Sequence, residues 1–561
     1  ISESSPTVDI AMTYFNMAGV RWNGGTHLIE KDLPEDGSTT IFIVENGASV
    51  TLGTSGAGGA QAHLNGDVRL RYGVLNLVNV KGEAASGTIY FEDSSSLESK
   101  IQRTLSVSTD ARANDIIMLA DGTIYVAPGN TLTVAGELRG DADLTLTGGG
   151  NKVFNHKLTG GDKDYTGDIL WQAGDIYLGD SQSIGTTGTL TILSTNNSML
   201  NLISQRPTGT ETIVLNKDIE FLKTQTDNNL NITTNTNLTL TGKITGDRLD
   251  KTGQAELDMT AAAVTIDSLY VRSGHVIDKN ALGNGSHYNN VTSSGYGLFL
   301  ASNGEYGNLN AAARETNPDT HAVAKGDIKI SNGELFGNIN SGYIASGGVN
   351  DTFGSVDLSN MQSMANHTGN IVNEGNLYIT DNSRIEMKGT FTSPQGRLFI
   401  KDSSVTMTGD ITATRPPAPE EGKEDPLKNK GGFFVMQNST LATTTGGMDI
   451  TGIAKSVGWQ DNTFTFDDAE FFGNTLSSYK DMKINLEFTT GTVGGADARK
   501  NTFTSQYGTL TFTGYDSQKG LAFNNNELTA QKAADITLDF GGTISGNIFT
   551  SVKGVDTDTA A

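Results

Sequence analysis

Gly375-Asn376-Leu377-Tyr378-Ile379-Thr380-Asp381-Asn382-Ser383-Arg384-Ile385-Glu386-Met387 is followed by a near copy, Gly396-Arg397-Leu398-Phe399-Ile400-Lys401-Asp402-Ser403-Ser404-Val405-Thr406-Met407. A third copy, Phe434-Val435-Met436-Gln437-Asn438-Ser439-Thr440-Leu441, follows an insertion. Each reads as two short runs of alternating apolar residues joined by Asp or Asn with Ser. Alternation places Leu377, Ile379, Ile385 and Met387 on one face. Short polar side chains at the join bond their own backbone and tolerate turn geometry, so the join is a bend. Strand pairs recurring about every twenty residues predict a stacked solenoid. In such a fold each repeat buries its apolar face against its neighbours.

The pattern extends in both directions. It is legible at Gly87-Thr88-Ile89-Tyr90-Phe91, at Gly122-Thr123-Ile124-Tyr125-Val126 with Thr131-Leu132-Thr133-Val134, and at Gly326 to Leu335. Near the C-terminus it becomes Asn-x-Phe/Leu, at Asn462-Thr463-Phe464, Asn474-Thr475-Leu476, Asn501-Thr502-Phe503, Asn526-Glu527-Leu528 and Asn547-Ile548-Phe549. An Asn at a recurring corner is expected to bond its equivalent in the next repeat, with the following apolar residue pointing inward. The expected fold is all-β, a right-handed parallel β-helix spanning residues 1–561 as one long domain. Two exposed insertions are expected, at 308–325 and at the Pro-rich, charged segment 415–430. Ala311 to Arg314 is expected to form a short helical turn, and Gln362 to His367 another.

Composition narrows the function classes. The chain has 561 residues, with 39 Lys and Arg against 63 Asp and Glu, a formal charge of −24. That balance argues against nucleic acid or an anionic membrane as partner, since phosphate binding needs a basic face. There is no cysteine, which suits an exported chain and excludes disulfide staples and Cys-based zinc or nucleophile sites. The sequence opens at Ile1 without an apolar leader and reads as a mature or excised segment. No apolar run approaches membrane-spanning length.

Two stretches resemble the passenger-associated repeat of Gram-negative autotransporters, the type V secreted proteins. In the first, Gly136-Glu137-Leu138 leads into Leu144-Thr145-Leu146-Thr147-Gly148, then Tyr165-Thr166-Gly167 and Gly174-Asp175-Ile176-Tyr177-Leu178. In the second, Ile244-Thr245-Gly246, Leu249, Lys251-Thr252-Gly253 and Leu257-Asp258-Met259-Thr260 precede Ile266, Leu269-Tyr270-Val271 and Gly274. The resemblance covers about a quarter of the chain directly. It implies a secreted or cell-surface passenger exported through the outer membrane. It also implies a C-terminal β-barrel translocator, and this sequence does not contain one. The expected role is a structural scaffold for adhesion or self-association, with a host glycan or matrix protein, or a second copy, as partner. A polysaccharide-degrading β-helix enzyme and an inert spacer displaying another domain are the alternatives.

No catalytic constellation, cofactor or metal site is evident. The seven histidines (His27, His63, His156, His275, His287, His321, His367) are dispersed, without metal-ligand spacing. Gly53-Thr54-Ser55-Gly56 resembles the surroundings of a subtilase serine, without the companion motifs that a base and an oxyanion hole require. A glycosidase needs two carboxylates about 5–10 Å apart. Asp467, Asp468 and Glu470, beside Phe464, Phe466, Phe471 and Phe472, are the best local cluster for a glycan contact. Arg139-Gly140-Asp141 is an integrin-type tripeptide and a candidate partner contact.

Overall fold

The computed structural model describes residues 19–34, 38–56, 58–93, 103–155, 164–193, 200–207, 209–222, 229–280, 285–317, 322–344, 352–393, 397–413, 434–453, 470–486, 490–514, 520–531 and 535–551. The chain divides into two compact units, Ile1–Asp267 and Ser268–Ala561. Among the described residues the regular structure is strand throughout, apart from one 3₁₀ turn at Asp497–Arg499. Nearly all of it lies in parallel sheets with one strand per repeat, the pattern of a β-solenoid.

In the first unit strands stack in three parallel columns, the first a six-stranded sheet and the other two parts of one larger sheet. One is built from Val20–Asn23, Thr40–Glu45, Gly66–Leu70, Ile89–Phe91, Ile116–Met118 and Leu138–Gly140. The second includes Gly73–Leu77, Arg103–Val107, Gly122–Val126, Leu144–Thr147, Ile169–Trp171, Thr189–Ile192 and Asp218–Phe221. The third includes Ala111–Ala113, Thr131–Val134, Asn151–Phe154, Ile176–Leu178, Leu200–Ser204 and Asn229–Thr234. Register fixes an interior column: Leu75, Leu105, Ile124, Leu146, Trp171, Ile192 and Phe221 each pair with the next. All seven are buried, and full burial of such a side chain stabilises by about 1.5–3 kcal/mol. A one-residue slip would turn every such residue outward, which is why the register is strongly specified.

The second unit repeats the plan with the copies that open the sequence argument. Leu377 pairs with Leu398, Ile385 with Val405, and Met387 with Met407. Across the insertion Leu398 pairs with Phe434 and Val405 with Leu441. The four residues expected on one face, Leu377, Ile379, Ile385 and Met387, are all buried. At the bend Asp381 and Asn382 adopt φ of 57° and 62°, and Asp402 and Asn438 adopt 48° and 47°. Asn and Asp tolerate this left-handed conformation because their side chains bond locally. Ser383 Oγ donates to Thr380 O at 2.7 Å and accepts from Met361 N of the preceding repeat at 3.0 Å.

The Asn-x-Phe/Leu corners stack as expected at four of the five positions; Asn462 lies outside the described residues. Asn474, Asn501 and Asn526 are essentially fully buried. Asn474 N donates to Asn501 Oδ1 at 3.0 Å, Asn501 Nδ2 to Asn526 Oδ1 at 3.0 Å, and Asn526 N to Asn547 Oδ1 at 2.8 Å. Leu476, Phe503 and Leu528 point inward in register.

Two features differ from expectation. Each repeat of the second unit carries a third, short strand, such as Phe391–Thr392 or Ile411–Ala413. Where that strand is only two or three residues long, it leaves too little alternation to recognise. The expected helical turn at Ala311–Arg314 is instead extended chain. Ala311 ends the strand Glu305–Ala311, and Ala313–Asn317 pairs antiparallel with Ala322–Lys325. The parallel ladder governs here, because Ala311 is buried in register with Ser341. Gln362 likewise begins a strand, Gln362–Ser363, with a turn after it.

Candidate functional site

The first passenger-like stretch is organised around polar groups that face inward. Lys152 shares the inward face of its strand with Phe154 and is fully buried. Its Nζ donates to Gly148 O, Gly150 O and Ala173 O at 2.6, 2.9 and 2.7 Å. Lys217 Nζ donates to Gly167 O at 2.8 Å and to Thr187 O, and lies 4.9 Å from the centre of the Tyr165 ring. Tyr165 Oη donates to carbonyls of Ala142 and Asp168 at 2.9 and 3.0 Å. In the second stretch Lys251 Nζ donates to Gly253 O at 2.9 Å. Three ammonium groups thus bond carbonyls that the corners turn inward. Burial lowers each lysine to about 8, opposed at Lys152 by Asp175 and at Lys217 by Asp168, Asp164 and Asp143. Burial, with Asp143, Asp168 and Asp121 nearby, raises the Tyr165 phenol. These groups are sealed in the interior and hold corners; none faces a substrate.

Arg139, Gly140 and Asp141 run through the end of the strand Leu138–Gly140 into the next turn. Arg139 is ion-paired to Glu137 and half-buried. Gly140 has φ of 107°, and a Cβ there would lie 2.0 Å from Met118 O. Stacking therefore accounts for the glycine. Asp141 is exposed. The tripeptide is embedded in a sheet edge, not carried at a loop tip.

Asp467 and Asp468 lie outside the described residues. Glu470 opens the strand Glu470–Phe471 in register with Thr492. Phe471 is a core residue, its ring stacked 6.2 Å from that of Phe503. Ser55 is exposed in a loop closed by Thr54 N to Ala60 O at 2.9 Å and Ala60 N to Thr54 Oγ1 at 2.7 Å. His287 Nδ1 lies 2.8 Å from Glu305 Oε2, its ring stacked on Phe336, while His275 is exposed on another strand. His367 is buried with Nε2 2.8 Å from Gly337 O. No group of three or more His, Asp or Glu side chains suited to a metal occurs among the described residues. A cavity of about 390 Å³ in the first unit is lined by Asp180, Arg206, Glu211 and Thr212 among others. Arg206 is already engaged there with Asp180 at 3.0 Å and with the carbonyls of Glu211 and Thr212.

The second unit instead gathers its insertions at one position in the repeat, between the third strand and the first strand of the next repeat. The antiparallel hairpin Ala313–Asn317/Ala322–Lys325 leaves there, within the expected 308–325 segment. One repeat later the hairpin Tyr343–Ile344/Thr352–Phe353 leaves at the equivalent place and packs beside the first. Segment 414–433, which includes the expected insertion 415–430, follows Ile411–Ala413, and 454–469 follows Met448–Ile453. Both segments occupy that position in chain order and lie outside the described residues. The hairpin bases are closed by the backbone: Gly326 N to Ala312 O at 2.9 Å and Gly354 N to Gly342 O at 2.8 Å. Of the two expected insertions, 308–325 leaves the stack only from Ala313 onward, residues 308–311 belonging to the strand Glu305–Ala311, and 415–430 lies outside the described residues.

Among the described residues no helix is long and apolar enough to cross a membrane. No known family model, curated protein or solved structure matches this chain.

Proposed function

We propose that the chain is a secreted or surface-displayed passenger of the autotransporter type, a right-handed parallel β-helix that presents loops for adhesion or self-association. The observation that carries this reading is the shared corner of the second unit, from which successive repeats send out insertions. A rigid stack with loops at one corner displays several segments to one partner at repeat spacing, and solenoid function tends to lie on such faces. Strands that feed parallel neighbours through one-directional crossovers favour the right-handed closure. The −24 charge and the absence of cysteine suit an exported, soluble surface. The partner is a host glycan or matrix protein, or a second copy; the passenger-like repeats point to delivery by an outer-membrane barrel.

The test is binding to arrays of glycans, mucins and matrix proteins. Two variants accompany the chain, with 313–325 or 415–430 replaced by a short Gly/Ser linker. Saturable binding lost in either variant supports the proposal. Binding unchanged in both, or absent from every array together with a strictly monomeric chain, refutes it.

A further inference from the structure

The first column of the first unit is interrupted. Its strands stack from Val20–Asn23 to Leu138–Gly140. In the next repeat the position is reduced to a single bridge, Gly140 with Tyr165. In the repeat after that a turn at 181–184 stands there instead, and strands resume only at Ile213–Leu215. The turn is closed by its own polar groups. Ser183 Oγ accepts from Asp180 N at 2.8 Å and donates to Phe154 O of the preceding repeat at 2.8 Å. Gly185 follows with φ of 88°, where a Cβ would lie 2.0 Å from Tyr165 O. Such a turn offers the next repeat no row of carbonyls to pair with. A side chain substitutes for one of them, as Val214 N donates to Ser181 Oγ at 2.9 Å. The cavity of about 390 Å³ lies at this interruption, between the turn and the segment 206–216.

The charges of the cavity are closed within its own wall. Arg206 Nη1 meets Asp180 Oδ2 at 3.0 Å and Glu211 Oε2 at 3.7 Å, and its Nε donates to Glu211 O at 2.8 Å. One guanidinium answers both carboxylates, which leaves no unpaired ion of either sign for a charged ligand. The Arg206 and Asp180 side chains are only 11% and 8% exposed, so this wall is set before a ligand arrives. Uncharged groups remain. Among the described residues the Gln182 side-chain amide and the Thr212 hydroxyl have no protein partner, and the Asn216 side chain is engaged only through its oxygen, by Thr241. These groups supply both donors and acceptors. Val214 is the one apolar residue of the lining.

We propose that this recess binds one neutral pyranose unit of a glycan. Sites for apolar ligands are lined mainly by hydrophobic and aromatic side chains, and this one is not. A sugar ring carries several uncharged hydroxyls, each a donor and an acceptor, and a C–H face for Val214. The volume lies at the low end of the range of about 300–1,000 Å³ for small-ligand sites. The site goes beyond the adhesion reading: it is built wholly from the first unit and does not depend on the insertion corner.

The probes are the methyl glycosides of glucose, galactose, mannose, N-acetylglucosamine and fucose, with glucuronate as the charged control. Each is titrated against the intact 561-residue protein by saturation-transfer NMR. Saturable binding of at least one neutral glycoside is expected, with glucuronate weaker than glucose. A Gln182→Ala, Thr212→Val double variant should weaken that binding at least about tenfold, the loss of two neutral hydrogen bonds. Neither side chain bonds the protein, and matching circular dichroism separates lost binding from lost folding. A chain with 415–430 replaced by a Gly/Ser linker should bind as the wild type does. No saturable binding of any neutral glycoside overturns the inference, and so does glucuronate binding more tightly than glucose. Binding that survives the double variant but is lost with the 415–430 linker also overturns it, and places the sugar at the insertion corner.

Discussion

The buried lysines give the first unit an unusual dependence on alkaline pH. Lys152, Lys217 and Lys251 titrate at about 8 in the folded chain, against about 10.4 for an unfolded lysine. Between these values the unfolded state binds more protons than the folded one, so stability rises with pH. Integrated from pH 7 to pH 10, each lysine contributes about 2–3 kcal/mol, and the three together several kcal/mol. The gain levels off as the pH passes about 10.4, where the unfolded lysines lose their protons too, and Tyr165, raised by burial, then adds an opposing slope because its ionisation favours the unfolded chain. The assay is a urea midpoint at pH 7, 8, 9 and 10 at constant ionic strength. A Trp459→Phe background leaves Trp22 and Trp171, both buried in this unit, as the fluorescent reporters. The midpoint should climb steadily to pH 10 and flatten in a Lys152→Met, Lys217→Met, Lys251→Met variant. A wild-type midpoint that stays level or falls between pH 7 and 9 refutes the reasoning. A variant that climbs as steeply as the wild type does so too.

Asn526→Leu removes the donors to Val493 O and Asn547 Oδ1 and the acceptor for Asn501 Nδ2. A loss of about 2–3 kcal/mol is expected in the denaturation of the second unit. His367 is held below its ordinary value by burial. The folded state therefore resists its protonation, and stability should fall as pH drops below about 6.5, the unfolded value. A His367→Gln variant should lose that part of the acid sensitivity in midpoints measured between pH 7 and 5. Arg384→Ala breaks only the exposed pair with Glu386; the midpoint should move by less than about 0.5 kcal/mol.

What was legible in the sequence was whatever repeats with a two-residue period. Leu377 and Ile379 announce their strand, and the register from Leu377 to Leu398 follows from the spacing alone. The Asn corners were legible for the same reason. The lysines were not, because a lysine is ordinarily a surface residue. The signal that locates one is positional: Lys152 occupies an inward slot, two residues before Phe154 and two after Gly150, whose carbonyl it bonds. Candidate contacts at Arg139 and Asp141 were short strings, and strings carry no information about whether they fall in a strand or on a loop.

The insertion corner has a physical reason to tolerate length. A buried ladder runs beneath it: Ser341 Oγ to Asn373 Oδ1 at 2.5 Å, Asn373 Nδ2 to Ser393 Oγ at 3.0 Å and to Arg397 O at 3.1 Å. Those bonds, with Gly354 N to Gly342 O, fix both ends of the excursion. Whatever lies between the ends then bears only the slowly growing entropy of loop closure, about 0.6 kcal/mol for each doubling of length. The register shows the consequence. Asn373 and Asn376 are separated by two residues, whereas the segment between Ala413 and Phe434 is twenty residues long, yet Leu398 still pairs with Phe434 as Val356 pairs with Leu377. A corner that absorbs such differences without moving the core can change its loops freely while the scaffold persists. That separation of loop from scaffold is what a display function requires.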